Sequence, residues 1–539
     1  MSRKNDGVTR RRFIQATAVA AGAAAFPFGS TFAQTASKAK YTRYNVMSAN
    51  GQKALASYAK GVEAMLKLPP SDPRNWFRNA FIHLLDCPHG NWWFYVWHRG
   101  FLGYFEETIR ELSGDNSFAI PYWDWTTLPQ IPDGMFDGSL NPRSGHFEPY
   151  TANLAVFQSF IEPTMQMVFK NLTKAQVAQL NVRGYTSFDL MWNDVTGNGN
   201  AGNIGYATTC AARYLTRDNP KLDARTAYDC SPPIVFSGLK PKDYYNADIT
   251  QSFTSSKTPS HNTQPSGTTE FSILEGLPHN NVHNCIGGVG PLDPGPYGNM
   301  TNFLSPFDPI FFLHHANMDR LWDVWTRKQK RRGLPILPPQ PDLGTLSKEP
   351  FLFYVKSNGD YVGPTVAGEF FSTDRFNYDY EPGSGEGGGV ATATLKKALT
   401  AVSLKAEVKG HAAALSIPRA AVNEHLASDE PTLIAAVTVA RPSPTSNTRA
   451  FDVIVGAPAN VTAVTPDSPY YGGTIAFFGP TMDHMAMSHD ATFAVPLPKR
   501  PEAFHNLAAT NVSTSIRIVP AHGHGKAPAL RAVSVRAVQ

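Results

Sequence analysis

Cysteine is scarce: four residues in 539 positions, too few for a disulfide framework. Cys210 and Cys230 flank a polar segment, where they would either close a loop in an oxidising compartment or stand as two free thiols. Charge is sparse too, at 17% of residues against 42% hydrophobic and 12% aromatic, which excludes a disordered chain. No apolar run reaches the ~20 residues of a membrane span, so no stable membrane partner is expected. No internal repeat is present, which excludes a solenoid. The formal net charge of +5 gives no warrant for a nucleic-acid partner. Arg3, Lys4, Arg10, Arg11 and Arg12 against Asp6 carry most of it, leaving about +1 beyond residue 33.

That basic N-terminus has its own meaning. TRRRFIQ (Thr9 to Gln15) precedes the apolar run ATAVAAGAAAF and small residues ending near Ala33. The pattern resembles a twin-arginine secretion signal over residues 1–33, which implies the Tat export machinery as a partner and a periplasmic or secreted protein. A retained N-terminal anchor is the other reading of the same residues.

Apolar spacing predicts an opening helix over residues 52–68 and a further helix ending at Gly114. Residues 130–270 read as a long Gly/Asn/Pro-punctuated insert with one helical stretch that Pro163 ends or kinks. After Tyr378-Asp379-Tyr380 the character changes. Residues 383–390 read as a Gly/Ser-rich linker. Beyond it LIAAVTVA, AFDVIVGA, GTIAFFG, ATFAVPLP and SIRIVPA alternate with turns, predicting a β-sandwich over residues 391–539. The expected architecture is thus a mainly α catalytic domain, residues 40–382, a helical bundle with long loops followed by a C-terminal β-sandwich.

Histidines carry the chemistry. His279 and His283 in PHNNVHN lie one helical turn apart on one face, and His315 follows in DPIFFLHHANMDRLW. Asp308 and Pro309 mark a helix start there. Asp319, four residues after His315, is placed to accept that ring's other N–H. Upstream stand His83, His89 and His98; the nine-residue gap between the last two puts His98 on a helix and assigns His89, with His83, to the preceding loop. Neutral imidazoles suit zinc, copper, iron and nickel, and two buried triplets point to a metal pair.

These segments resemble the tyrosinase and catechol oxidase family, with its coupled binuclear copper site. The resemblance rests on His83, His89, the HRGFLGYFE run at His98, PYWDW, LEGLPHNNVH and SPFDPIFFLHHANMDRLW, and extends through Tyr378-Asp379-Tyr380. It implies one copper on His83, His89 and His98 and a second on His279, His283 and His315, with His314 as the non-ligand neighbour. The first segment departs from the usual family form: His83 and His89 are closer together than in most members, and Tyr95 replaces a typically aliphatic or Phe position. The implied reaction uses O2 to hydroxylate monophenols at the ortho position and to oxidise catechols to o-quinones, with a small phenol as partner and no organic cofactor. Glu275 and Asn280 match positions where the family holds a water that deprotonates the incoming phenol. Cys87, two residues before His89, matches fungal members whose Cys-x-His pair forms a thioether. Phe303 or Leu304 falls over the first copper, according to a one-residue gap. A fainter resemblance makes the C-terminal domain a shield that keeps the enzyme latent. Its MDHMAMSH segment (Met482 to His489) is read either as soft ligands able to receive copper from a donor or as an ordinary Met-rich loop.

Three alternatives share parts of this pattern. A catechol or o-aminophenol oxidase would lack the monophenol step. A haemocyanin-like oxygen carrier would bind O2 on the same six histidines. A zinc hydrolase would require carboxylate ligands or an HExxH arrangement, absent here.

Overall fold

The computed structural model describes residues 39–196, 213–288, 298–386, 400–442, 448–479, 490–523 and 525–538. The secretion signal, Cys210 and the MDHMAMSH segment lie outside these residues.

Amphipathic spacing and explicit caps build the helical half. α1 (Ala49–Lys67) buries Leu55, Tyr58, Val62 and Met65 along one stripe, and the Ser48 side chain accepts the Gly51 amide at its start. α2 (Trp76–Asp86) is capped by Asn75, whose side chain accepts the Phe77 and Arg78 amides. α3 (Phe94–Ser113) stops at Gly114, whose φ of 74° is the left-handed conformation that glycine adopts without strain. α4 (Leu154–Lys170) runs through Pro163 to Lys170, so the proline does not end it. α5 (Asn280–Gly287) continues a π-helical turn, Glu275–His279, and α6 (Ile310–Arg332) is the longest helix of the centre. Asp308 accepts the Ile310 amide and pairs with Arg213 at 2.5 Å, fixing the point where α6 begins. Between the helices lies an aromatic core that includes Trp92, Trp93, Trp97, Trp123, Trp125, Trp322 and Trp325, all essentially inaccessible. PYWDW is core, as its composition suggested: Tyr122, Trp123 and Trp125 are fully buried.

The C-terminal part is built on two five-stranded sheets. Their strands in chain order are β1 (Thr269–Phe271), β2 (Ser403–Lys405), β3 (Glu407–Lys409), β4 (Ala412–Pro418), β5 (Leu433–Ala440), β6 (Ala450–Val455), β7 (Tyr471–Ala476), β8 (Asp490–Pro496), β9 (Asn511–Pro520) and β10 (Leu530–Ala537). One sheet has the order β7-β6-β9-β4-β3, the other β1-β8-β5-β10-β2. Their inward residues, among them Leu415, Ile417, Val437, Val453, Phe493, Ile516 and Val535, form one shared core. Every segment read from the sequence as β-rich contains a strand; β1 to β4 and β10 were not foreseen.

One strand comes from the helical half. β1 pairs parallel to β8, with Thr269, Glu270 and Phe271 opposite Ala491, Thr492 and Phe493. The start of the expected linker is also anchored: Ser384 donates to Asp124 and accepts from Arg320, while Glu386 pairs with Arg327 at 3.1 Å. Residues 387–399 lie outside the described residues.

Candidate metal centre

Five helical segments and one connection bring the six histidines together. α2 carries His83, which corrects the expectation of a loop position: it lies one turn before the helix end at Asp86. The connection to α3 carries His89, and α3 itself carries His98. His279 closes the π-helical turn, whose Pro278 cannot donate a backbone hydrogen bond, and His283 follows on α5. His315 sits in the first turns of α6.

In the upstream set the ring centroids are 5.3 Å (His83–His89), 5.6 Å (His83–His98) and 5.6 Å (His89–His98) apart. In the downstream set they are 4.6 Å (His279–His283), 5.1 Å (His279–His315) and 5.4 Å (His283–His315). The sets touch: His98 and His315 stack at 4.1 Å with a 7° interplanar angle, and His89 and His279 are 5.6 Å apart. Five rings are buried and His89 is half-buried.

Hydrogen bonds fix the tautomers. Nδ1 of His83 donates to the Phe303 carbonyl at 2.7 Å, that of His98 to Phe94 at 2.7 Å, and that of His283 to Met300 at 2.6 Å. His279 Nδ1 donates to Asn280 Oδ1 at 2.9 Å. Each bond leaves an Nε2 lone pair, and Nε2 of His83, His89, His98 and His279 has no protein partner. His283 Nε2 faces His315 Nε2 at 3.2 Å. Burial holds all six imidazoles below the usual histidine range, to about 3 for His98 and His279, so they are neutral donors near pH 7. A buried polar atom left unpaired costs about 1–3 kcal/mol. Several in one cluster are the pattern of a cation site built from nitrogen donors.

Asp319 does not hold His315. Its carboxylate accepts from Arg99 Nε at 2.7 Å, Arg43 Nη1 at 3.0 Å, Tyr380 Oη at 2.6 Å and the Tyr378 hydroxyl, while His315 Nδ1 has no partner. Burial pushes this carboxyl up, but Arg99 and Arg43 outweigh it and hold it below its usual range. The expected second-layer contact is therefore replaced by an ion cluster. That cluster ties α6 to α3 and to the paired segments Tyr41–Arg43 and Tyr378–Tyr380.

Glu275 and Asn280 both lie at the centre, with different partners. Glu275 accepts the Gly90 amide at 2.6 Å and the Ser255 hydroxyl, and burial raises its carboxyl to about 7. Asn280 gives its Oδ1 to His279 and its amide to the Ala476 carbonyl at 2.8 Å. Asn281 and Asn284, on the same helix, donate to the carbonyls of Thr474 at 2.6 Å and Phe477 at 3.1 Å. Three amides thus bind α5 to β7 and the residues just after it.

Cys87 Sγ lies 3.3 Å from His89 Nδ1. Arg183 donates to the Cys87 carbonyl at 2.9 Å and steadies this turn. Cys230 is buried and unbridged among the described residues, and Cys285 is half-buried. Of the two gate candidates, Phe303 lies against His89, with centroids 5.7 Å apart and planes at 23°; Leu304 is buried in the core.

Two residues at the centre were not foreseen. Phe478, just beyond β7, puts its ring 4.3 Å from His283, 4.7 Å from His89 and 5.7 Å from His279. The next residue is Gly479, at a φ of +76°, where a Cβ would meet the Phe303 ring at 2.8 Å. Ser255, which holds Glu275, was hidden in the insert. The doubled Phe in GTIAFFG, breaking strand alternation, was the available signal for Phe478.

The common central domain of tyrosinase matches residues 51–328. The chain belongs to the tyrosinase family. Among curated tyrosinase-family relatives, a latent-form chloroplastic polyphenol oxidase of Prunus armeniaca is 25% identical over 359 residues, 61% of this chain and 46% of that protein. The match therefore spans less than half of that relative's length. A haemocyanin of Enteroctopus dofleini is 33% identical over only 114 residues, 21% of this chain and 9% of that protein. The structure of latent apple tyrosinase superposes with a TM-score of 0.51 at 17% identity, covering 95% of this chain and 98% of that one, a likeness of fold. The family implies a copper pair, and the neutral, partnerless Nε2 atoms of His83, His89, His98 and His279, with His283 and His315 beside them, are nitrogen donors that fit it.

Proposed function

We propose that this tyrosinase-family chain is a copper-dependent phenol oxidase, using O2 to hydroxylate monophenols at the ortho position and to oxidise catechols to o-quinones. The carrying observation is the pair of imidazole triplets in contact, with Nε2 of His83, His89, His98 and His279 unpaired by protein and Nε2 of His283 and His315 facing each other at 3.2 Å. His83, His89 and His98 would hold one copper, and His279, His283 and His315 the other. Bound there, the pair supplies one electron per ion for O2 chemistry. The remaining work falls to the chain. A phenol has a pKa near 10, so its binding is helped by a base. Glu275, raised to about 7 by burial and steadied by Gly90 and Ser255, is that base. Asn280 orients His279, and Phe303 walls the side of His89. Cys87 is placed for a thioether to a His89 ring carbon, which would fix the half-buried ring; the S–H and a ring C–H would break, with two protons released and two electrons passing to O2.

The C-terminal sheets act as a cover. Phe478 occupies the space between His89 and His283 that a substrate ring needs, supporting latency until the cover is displaced. Residues 1–33 support export by the twin-arginine route to a periplasmic or secreted location. Among the described residues no helix is long and apolar enough to cross a membrane. A second reading, a catechol or o-aminophenol oxidase without monophenol hydroxylation, is favoured by the aromatic bulk of Phe303 and by the bond from Asn280 to Ala476. Copper quantitation with paired mono- and diphenols on the full chain, before and after removal of residues 391–539, decides between them. Quinone formation separates both from an oxygen carrier.

A further inference from the structure

His314 is unused by the reading above. It is fully buried beside His315 on α6, and both of its ring nitrogens lack a hydrogen-bond partner. Leaving both nitrogens of one ring unpaired is costly, so the site should offer this ring a partner. Its ring neighbours are three imidazoles and, farther off at 6.4 Å, the Trp125 indole. The ring lies 4.9 Å from His283 at 88°, 5.4 Å from His279 at 26° and 5.1 Å from His315 at 80°. One ligand atom from each of His279, His283, His314 and His315 lies within 4.8 Å of all the others. Successive helix positions point about 100° apart, so His314 and His315 approach this space from two sides. His315 meanwhile stacks on His98, which contacts it from the upstream set.

We infer that His314 is a fourth imidazole donor to the downstream copper, exchanging with His315. This rests on the copper reading above. His314 would complete a donor set with His279 and His283 during loading, and His315, already stacked on His98, would take its place once the site is filled. The donor set is one of neutral nitrogens, which suits copper in either oxidation state.

The test is copper retention by the full chain, not turnover. Wild type, His314→Gln, His315→Gln and the double variant are loaded, desalted and assayed for copper per chain, with near-ultraviolet circular dichroism as the folding check. Wild type and His314→Gln should hold two ions, His315→Gln two that a chelator removes about tenfold faster, and the double variant one. A His315→Gln chain that already holds one ion, with no further loss in the double variant, overturns the inference, as does a double variant that keeps two. If His315→Gln does not fold, the rate of copper uptake by His314→Gln replaces it: about tenfold slower than wild type supports the exchange, and an equal rate overturns it. A wild type that binds fewer than two ions instead defeats the copper reading itself.

Discussion

Trimming Phe478 to alanine tests whether the C-terminal sheets hold the centre closed. Its ring meets His283, His89, His279 and Phe303 at centroid distances of 4.3, 4.7, 5.7 and 5.8 Å. Aromatic pairs contribute roughly 0.5–1.5 kcal/mol each beyond their buried area, so a phenol displacing this ring forfeits about 2–6 kcal/mol. The incoming ring recovers part of that through the same imidazoles, leaving a net penalty of about 2 kcal/mol, or roughly 30-fold. Phe478→Ala should therefore lower the KM for a catechol by about 30-fold in the full-length, copper-loaded chain, with kcat changed far less. The measurement is steady-state quinone formation at matched copper content. Because Phe478 is only half-buried, the variant should lose less stability than the ~3–5 kcal/mol of a fully buried Phe→Ala change. Unchanged KM and kcat with two coppers bound would show that this ring does not bar the substrate.

The remaining expectations concern the base, the ion cluster and the thiol. With Glu275 at about 7, monophenol turnover should fall as pH drops through that value, because the protonated carboxyl cannot take the phenol proton. Glu275→Gln should remove that inflection while depressing catechol oxidation less, and an identical profile for both substrates in both proteins would count against the assignment. Asp319→Asn leaves Arg99 and Arg43 facing an amide in a buried cluster. It should cost about 3–5 kcal/mol of stability in denaturant unfolding, and a loss below about 1 kcal/mol would mean that Glu106 alone neutralises Arg43. The tryptic peptide spanning Cys87 and His89 should resist alkylation and lack the thiol hydrogen and one ring hydrogen after copper loading. A peptide alkylated at Cys87 in loaded enzyme would refute the thioether.

Much of the centre was legible because its signals are local. The four-residue spacing of His279 and His283 and the helix start at Asp308–Pro309 depend on neighbours in sequence, and the structure keeps both. Asp319 shows where that reasoning stops. Its spacing from His315 is right for one helix face, but Arg43, Tyr378 and Tyr380 arrive from distant segments and offer stronger, charge-assisted bonds. The nine-residue gap between His89 and His98 constrains His89 but not His83, which lies on a helix that Asn75 caps. Phe478 and Ser255 are long-range neighbours of the histidines and carry no periodic signature. The same holds for β1: three residues are too few for an alternation pattern, and what makes them a strand is the exposed edge of β8.

That borrowed strand changes what cutting the chain can achieve. A protease acting between Glu386 and Thr400 would sever the backbone and leave Thr269–Phe271 hydrogen-bonded to Ala491–Phe493, with the three asparagine amides of α5 still on the carbonyls of Thr474, Ala476 and Phe477. The product of such a cut would be a two-chain complex that copurifies, not a freed enzyme and a discarded fragment. Parting the two pieces would strip β8 of its neighbour and expose an open sheet edge, a template for self-association. Nicking would thus be the easy step, and dissociation, by a competing strand or a denaturing surface, the one that sets the pace.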